Sequence, residues 1–214
     1  MVLVIPLHKT YCAIMGIFNK LFGKKASTIS SQKEERGKFM PEPKIPTDEL
    51  FAKNFIENGG KFLYSVTIND VLTNFKAILN ENDWQEKPVL CYDEVLKNQF
   101  KNFDLTFKKE INDTSFFLTT CESLIADKGA ILISSNQIKE QKINTLPGNL
   151  ILFATTSQLK DSLDEGLKAI KSNNKSNIPS NITTLKCFKV SEEKDFLTYG
   201  SSSKNLYLLL LEDL

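Results

Sequence analysis

The stretch that most constrains this chain is residues 121–135, Cys-Glu-Ser-Leu-Ile-Ala-Asp-Lys-Gly-Ala-Ile-Leu-Ile-Ser-Ser. Two apolar, β-prone runs, 124–126 and 130–133, flank Asp127-Lys128-Gly129. Aspartate bonds to its own turn and glycine takes positive φ without a Cβ clash, so the spacing predicts a tight turn between two strands. Both runs are apolar on both faces, which predicts the middle of a covered sheet rather than a solvated edge.

The rest of the chain reads as strands alternating with helices. Thr47 is placed to cap a helix whose first turn holds Asp48 and Glu49, with Leu50, Phe51, Phe55 and Ile56 as its apolar stripe and Gly59-Gly60 as its stop. A strand at 61–66, a helix at 70–80, a strand at 89–92 behind Pro88, a helical stretch at 93–100 and a strand at 105–111 follow. Residues 114–120 read as a turn or short helix, 150–154 as a buried strand, and 157–172 as a helix capped by Thr155 or Thr156. A loop at 173–181, a strand at 182–187 and a polar excursion lead to a final strand. This order predicts an α/β fold with a mostly parallel sheet covered on both faces, made mixed by the central hairpin.

Size and charge narrow the function classes. With 214 residues and 24.2 kDa there is room for one substantial domain and little for a second. A formal net charge of +1 gives no global electrostatic case for nucleic acid. The four cysteines, at 12, 91, 121 and 187, include no Cys-x-x-Cys pair and read as reduced structural thiols of a cytoplasmic protein. His8 is the sole histidine, so neither a Ser-His-Asp site nor a His-ligated metal is expected.

Residues 1–46 read as a tail and linker ahead of a domain at 47–214, with Pro41, Pro43 and Pro46 marking the linker. Residues 1–14 lack the marks of a signal peptide, and Met15 opens a more conventional start. Ile17, Phe18, Leu21 and Phe22 share one helical face against Lys20, Lys24 and Lys25, a pattern suited to an anionic membrane or a partner groove as well as to a frayed tail.

Two carboxylates stand out, Glu122 and Asp127. Side chains alternate along a strand, so the two face opposite ways and form no acid–base pair without a bulge. Glu122 is the candidate catalytic residue; Asp127 reads as a turn-former or a ligand contact. Gly200-Ser201-Ser202-Ser203-Lys204 brings backbone N–H groups, three hydroxyls and one ammonium into five residues, an inventory suited either to an anion or to water. It lacks the Walker spacing.

Ala126-Asp127-Lys128-Gly129 before a hydrophobic strand resembles the Ala-Asp-Thr-Gly signature of the LUD (lactate utilisation) domain family. The run Gly200-Ser201-Ser202-Ser203-Lys204-Asn205-Leu206-Tyr207 is similar to that family's closing turn before its last strand. Lys128 stands where the family carries Thr, and the serine run lacks the family's common Pro and Arg. The resemblance implies a three-layer Rossmann-like architecture of the kind seen in sugar-phosphate isomerases and CoA transferases. It further implies an accessory, non-redox subunit of an iron–sulfur system oxidising lactate to pyruvate, with the clusters in partner subunits and no cofactor in this chain. Asp127, Lys128, Gly129 and the 200–205 loop, through Asn205, are the ligand-binding candidates for a small anion. The alternatives are a stand-alone enzyme on a CoA-transferase-like scaffold, with Glu122 as nucleophile or base, and a membrane-tethered interaction protein using residues 16–25.

Overall fold

The structure is a computed structural model and describes residues 45–175, 177–188 and 204–213. The expectations for residues 1–14, Met15, the 16–25 segment and Gly200 to Ser203 lie outside these residues.

Helix α1 (Thr47–Glu57) opens on Pro46 rather than on a Thr47 cap. Thr47 is already helical, and its hydroxyl donates to the Asp161 carboxylate instead. Strand β1 (Lys61–Ser65) follows the diglycine stop. Helix α2 (Ile68–Glu81) starts two residues ahead of expectation because Thr67 and Asp70 close a capping box. The Thr67 hydroxyl accepts from the Asp70 N–H at 3.2 Å, and the Asp70 carboxylate accepts from the Thr67 N–H at 2.9 Å. Strand β2 (Pro88–Leu90), helix α3 (Glu94–Gln99) capped by Asp93, and strand β3 (Thr106–Lys108) complete the first half.

Residues 114–120 correct the sequence reading. They hold strand β4 (Phe116–Thr119), buried at all four positions, rather than a turn or short helix. Four residues are too few for either periodicity to show, and burial on both sides selected the strand. The hairpin then runs as β5 (Ser123–Ile125), a 3₁₀ turn at Ala126–Lys128 and β6 (Ala130–Ile133). A short helix α4 (Ser135–Ile138) leads by way of a loop to β7 (Asn149–Thr155). The helix expected at 157–172 is shorter: a 3₁₀ turn (Thr156–Gln158) and strand β8 (Leu159–Lys160) precede α5 (Leu163–Asn173). Leu159 pairs with Leu124, so a strand contact overrides the helical spacing there. Strands β9 (Thr183–Leu185) and β10 (Asn205–Leu211) end the described chain.

Six strands form one sheet in the order β1-β10-β7-β4-β2-β3, every neighbouring pair parallel. The hairpin lies outside it, in a second sheet ordered β8-β5-β6-β9 that mixes parallel and antiparallel pairs. The covered setting expected for the hairpin is thus met by a separate layer. On one face of the large sheet, Val71, Phe75 and Ile78 of α2 and Leu96 of α3 pack with Phe116, Leu118, Ile151, Tyr207 and Leu209. Each fully buried phenylalanine there contributes about 1.5–3 kcal/mol relative to exposure. Phe62 alternates with Leu63 and meets Phe51 and Phe55 of α1, which puts α1 on the opposite face. Helix α5 covers the second sheet, and Ile170 packs with Ile125, Ala130 and Leu132. A Cβ at Gly166 would lie 2.7 Å from Ile125 Cδ1, so α5 sits as close as glycine allows.

Candidate functional site at the carboxyl edge

In an open parallel sheet the ligand crevice forms at the carboxyl ends of the strands, where the strand order reverses. Here β2 continues through α3 to β3 on one side, while β4 continues through the hairpin to β7 on the other. The reversal therefore lies between β2 and β4, and Cys91-Tyr92-Asp93 and Thr119-Thr120-Cys121-Glu122 leave the sheet at that point.

Glu122 is partly buried and its place is well defined. Its N–H donates to the Leu132 carbonyl at 2.8 Å, extending the hairpin ladder. Its Oε1 accepts from the Ser134 hydroxyl at 2.6 Å and from the Asn136 amide at 2.9 Å. Ser134 is itself buried and caps α4, with the Asn136 N–H donating to its Oγ at 3.1 Å. Two side chains from the start of α4 thus converge on one carboxylate oxygen. The neighbouring thiols are different. Burial pushes Cys91 up to about 11. Burial, reinforced by the Glu122 charge, raises Cys121 further. Neither is a thiolate at neutral pH, so neither is poised as a nucleophile.

Next to the reversal point, the end of β7 supplies Thr155, Thr156 and Ser157. The Gln158 amide ties this turn to the end of β4, donating to the Cys121 carbonyl at 2.6 Å. From the end of β10, the Asp213 carboxylate accepts from the Thr156 hydroxyl at 2.8 Å, the Ser157 N–H at 2.9 Å and the Ser157 hydroxyl at 2.7 Å. Among the described residues, no three His, Cys, Asp or Glu side chains are grouped to hold a metal ion.

The signature turn has a structural assignment. Gly129 takes φ 54°, as expected, and a Cβ there would lie 2.2 Å from the Asn54 backbone carbon. The Asn54 amide donates to the Ala126 carbonyl at 2.8 Å, and the Asn58 amide donates to the Lys128 carbonyl at 2.8 Å. Ala126 to Gly129 is therefore the seat of α1, with the Asp127 and Lys128 side chains exposed. Lys204 and Asn205 lie at the opposite, amino edge of the large sheet. Lys204 is 4% exposed; its ammonium donates to the Leu146 carbonyl at 2.7 Å and the Pro147 carbonyl at 3.2 Å, and burial lowers its pKa. Asn205 bonds to Asn149 at 3.1 Å. The two motifs are joined by a relay: Asn58 holds the turn and accepts from the Phe188 N–H, and the Lys204 N–H donates to Cys187. Glu122 is separated from Lys204 by the height of the sheet, about 20 Å for a seven-residue strand.

The LUD domain family model matches residues 49–211. The chain belongs to the LUD domain family. No curated protein matches it. The LUD domain also resembles the crystal structure of a DUF162 family protein from Deinococcus radiodurans, with a TM-score of 0.56 and 12% sequence identity over 79% of this chain and 100% of that one. At that identity the likeness shows the shared fold. Sequence reading missed Thr119, Thr120, Thr155 to Ser157 and Asp213 in this LUD domain. For the hydroxyl residues the signal is the switch from apolar residues to hydroxyls at Leu118-Thr119-Thr120 and Ala154-Thr155-Thr156, which has meaning only once both strands are known to be parallel neighbours.

Proposed function

We propose that this LUD domain is a cytoplasmic, non-redox subunit serving an iron–sulfur oxidoreductase system that converts lactate to pyruvate. Its contribution is binding: a partner subunit and a small anion. In this reading the clusters sit in the partner subunits. Family membership supports the choice of system. The observation that carries the ligand half is the reversal point of the strand order, where Glu122 is fixed by Ser134 and Asn136 and the Gln158 amide joins the Thr155 to Ser157 turn to Cys121. Small carboxylates are held by such hydroxyls and backbone N–H groups. The test is anaerobic affinity purification of the tagged protein from its native host, with partners identified by mass spectrometry. Iron–sulfur and oxidoreductase subunits should co-purify; clean, partner-free protein overturns the subunit role.

One observation favours a second reading. Both side-chain bonds to Glu122 end on Oε1, an arrangement that fixes a carboxylate while directing Oε2 elsewhere. In a stand-alone enzyme Oε2 attacks the thioester carbonyl of an acyl-CoA, forming a glutamyl anhydride as the C–S bond breaks and CoA leaves as its thiolate, or takes a proton from a phosphorylated substrate. Glu122→Gln separates the two readings. Turnover that falls at least about 10²-fold in the variant while folding is kept supports the enzyme. Partner recovery unchanged by the variant, with no turnover to lose, supports the subunit.

A further inference from the structure

Backbone strain sits beside the candidate site, at Lys139. Among the described residues Asp83, Glu86, Asp113, Lys139 and Asn181 take positive φ without being glycine. Aspartate and asparagine tolerate that conformation, which leaves Glu86 and Lys139 as the unusual pair. Lys139 stands at φ 55°, ψ −137°, directly after α4. The Gln141 N–H donates to the Ile138 carbonyl at 3.1 Å, so Lys139 is the first central residue of a tight turn. Such angles belong to a type II′ corner, a place for glycine because any Cβ there crowds the backbone. Two bonds hold the lysine in it. Its N–H donates to the Ser135 carbonyl at 2.9 Å, and its ammonium donates to the Asn136 carbonyl at 3.1 Å. The other end of α4 is the group that fixes Glu122, through Ser134 and Asn136. Between the two ends the helix is lightly anchored. Ile138 is buried, Ser135, Asn136 and Gln137 are partly or fully exposed, and the Ser135 N–H donates to the Ser180 carbonyl at 2.9 Å.

We propose that α4 is a strained latch on the candidate site. Closed, it fixes the Glu122 carboxylate and holds Lys139 in a glycine conformation; open, it relaxes Lys139 and frees Glu122 Oε1. This inference rests on the reading of Glu122 as a residue of the site. Because α4 is a single turn, Lys139 cannot relax without carrying Asn136 away from Glu122. Strain of this kind shifts a two-state equilibrium about tenfold toward the relaxed form, and it concentrates at ligand clamps and switch segments. The site thus has two states of similar free energy, and a ligand or partner that meets the fixed carboxylate selects the closed one.

The test is native-state amide hydrogen exchange on the full chain, labelled with ¹⁵N, in the wild type and in Lys139→Gly, Lys139→Ala and Glu122→Ala. The amides of Ser135, Ile138, Lys139 and Gln141 report α4, and those of β6 report the sheet beneath it. In the wild type the α4 amides should exchange far faster than those of β6, through local opening. Both lysine variants lose the ammonium bond to Asn136, but only glycine loses the Cβ. Exchange of the α4 amides should therefore be about fivefold slower in Lys139→Gly than in Lys139→Ala, after the part offset by glycine's freedom in the open state. Glu122→Ala should speed it, with β6 unchanged in every variant. Equal α4 rates in the glycine and alanine variants overturn the stored strain. Amides of α4 as slow as those of β6, or a Glu122→Ala variant that leaves them unchanged, overturn the latch. The comparison uses no ligand, so its failure leaves the reading of the Glu122 site standing; failure of that reading shows instead in the affinity purification and in Glu122→Gln.

Discussion

The two edges of the large sheet use similar residues to opposite ends. At the amino edge a lysine, a glycine turn and asparagines are absorbed into the structure. Lys204 bonds to two carbonyls, Gly129 lies against the α1 backbone, and Asn205, Asn149 and the Ser115 carbonyl form a ladder across β10, β7 and β4. Even Lys61 is engaged, its ammonium 4.1 Å from the centre of the Tyr207 ring. At the carboxyl edge, Glu122 and Asp213 are held by hydroxyls and amides while remaining partly or largely exposed. The amino edge is where the fold is secured; the carboxyl edge carries polar groups that packing does not need. A short cleft of about 260 Å³ between Lys76, Leu79 and Asp104 also lies ahead of β2 and β3, away from Glu122.

The largest test of this contrast is Gly129→Ala. The substitution puts a side chain on a residue at φ 54° and drives its Cβ into the backbone of Asn54. The left-handed conformation costs about 1–2 kcal/mol and the overpacking about 1–3 kcal/mol, so a loss of about 2–5 kcal/mol is expected. Urea denaturation reads it as a lowered midpoint at unchanged slope. Asp127→Ala, one turn position away but exposed, should change stability by less than about 0.5 kcal/mol. Comparable losses in the two variants would mean that the turn is not the seat of α1.

Lys204→Met comes next. The variant keeps the apolar stem but leaves the Leu146 and Pro147 carbonyls without their donor, at a cost of about 1–3 kcal/mol. Relief of the buried ammonium's desolvation offsets part of this, so the net loss should fall near the lower end and below that of Gly129→Ala. Isothermal titration of the variant with an anion separates the two roles considered for Lys204. Lost stability with unchanged anion affinity marks a structural lysine; unchanged stability with lost affinity returns it to the ligand site.

The pattern of sequence successes follows from how each residue acts. Gly129, the diglycine stop and the helix carrying Val71, Phe75 and Ile78 were legible because local backbone and one-sided burial determine them. The strand Phe116–Thr119 was not, because its reason to exist is its pairing with β2 and β7, residues distant in the chain. The same holds for the site. Glu122 was legible as a carboxylate beside an apolar strand, whereas its tie to Ser134 and Asn136 depends on the hairpin returning beside it. For Lys204 the sequence shows the charge and not the two carbonyls that its ammonium meets. Asp213 had no local signal, since its partners lie 56 and 57 residues away.

The smallest effect lies at the carboxyl edge and appears in acid. Desolvation works upward on the Asp213 carboxyl, but the bonds from the Ser157 and Thr156 hydroxyls and the Ser157 N–H outweigh it and hold the group at about 2. A carboxyl whose folded pKa is depressed stabilises the folded state above its unfolded pKa and loses that contribution as the pH falls through the folded one. The Asp213 contact with Thr156 and Ser157 should therefore hold through the neutral range and release as the pH drops from about 4 to about 2. The protection of the Ser157 amide, referred to the intrinsic exchange rate at each pH, should fall across that window, while the global melting temperature changes little because the contact is exposed. Asp213→Asn should abolish the pH step. A wild-type step that survives in the variant would assign it to another carboxylate and leave Asp213 as an ordinary surface acid.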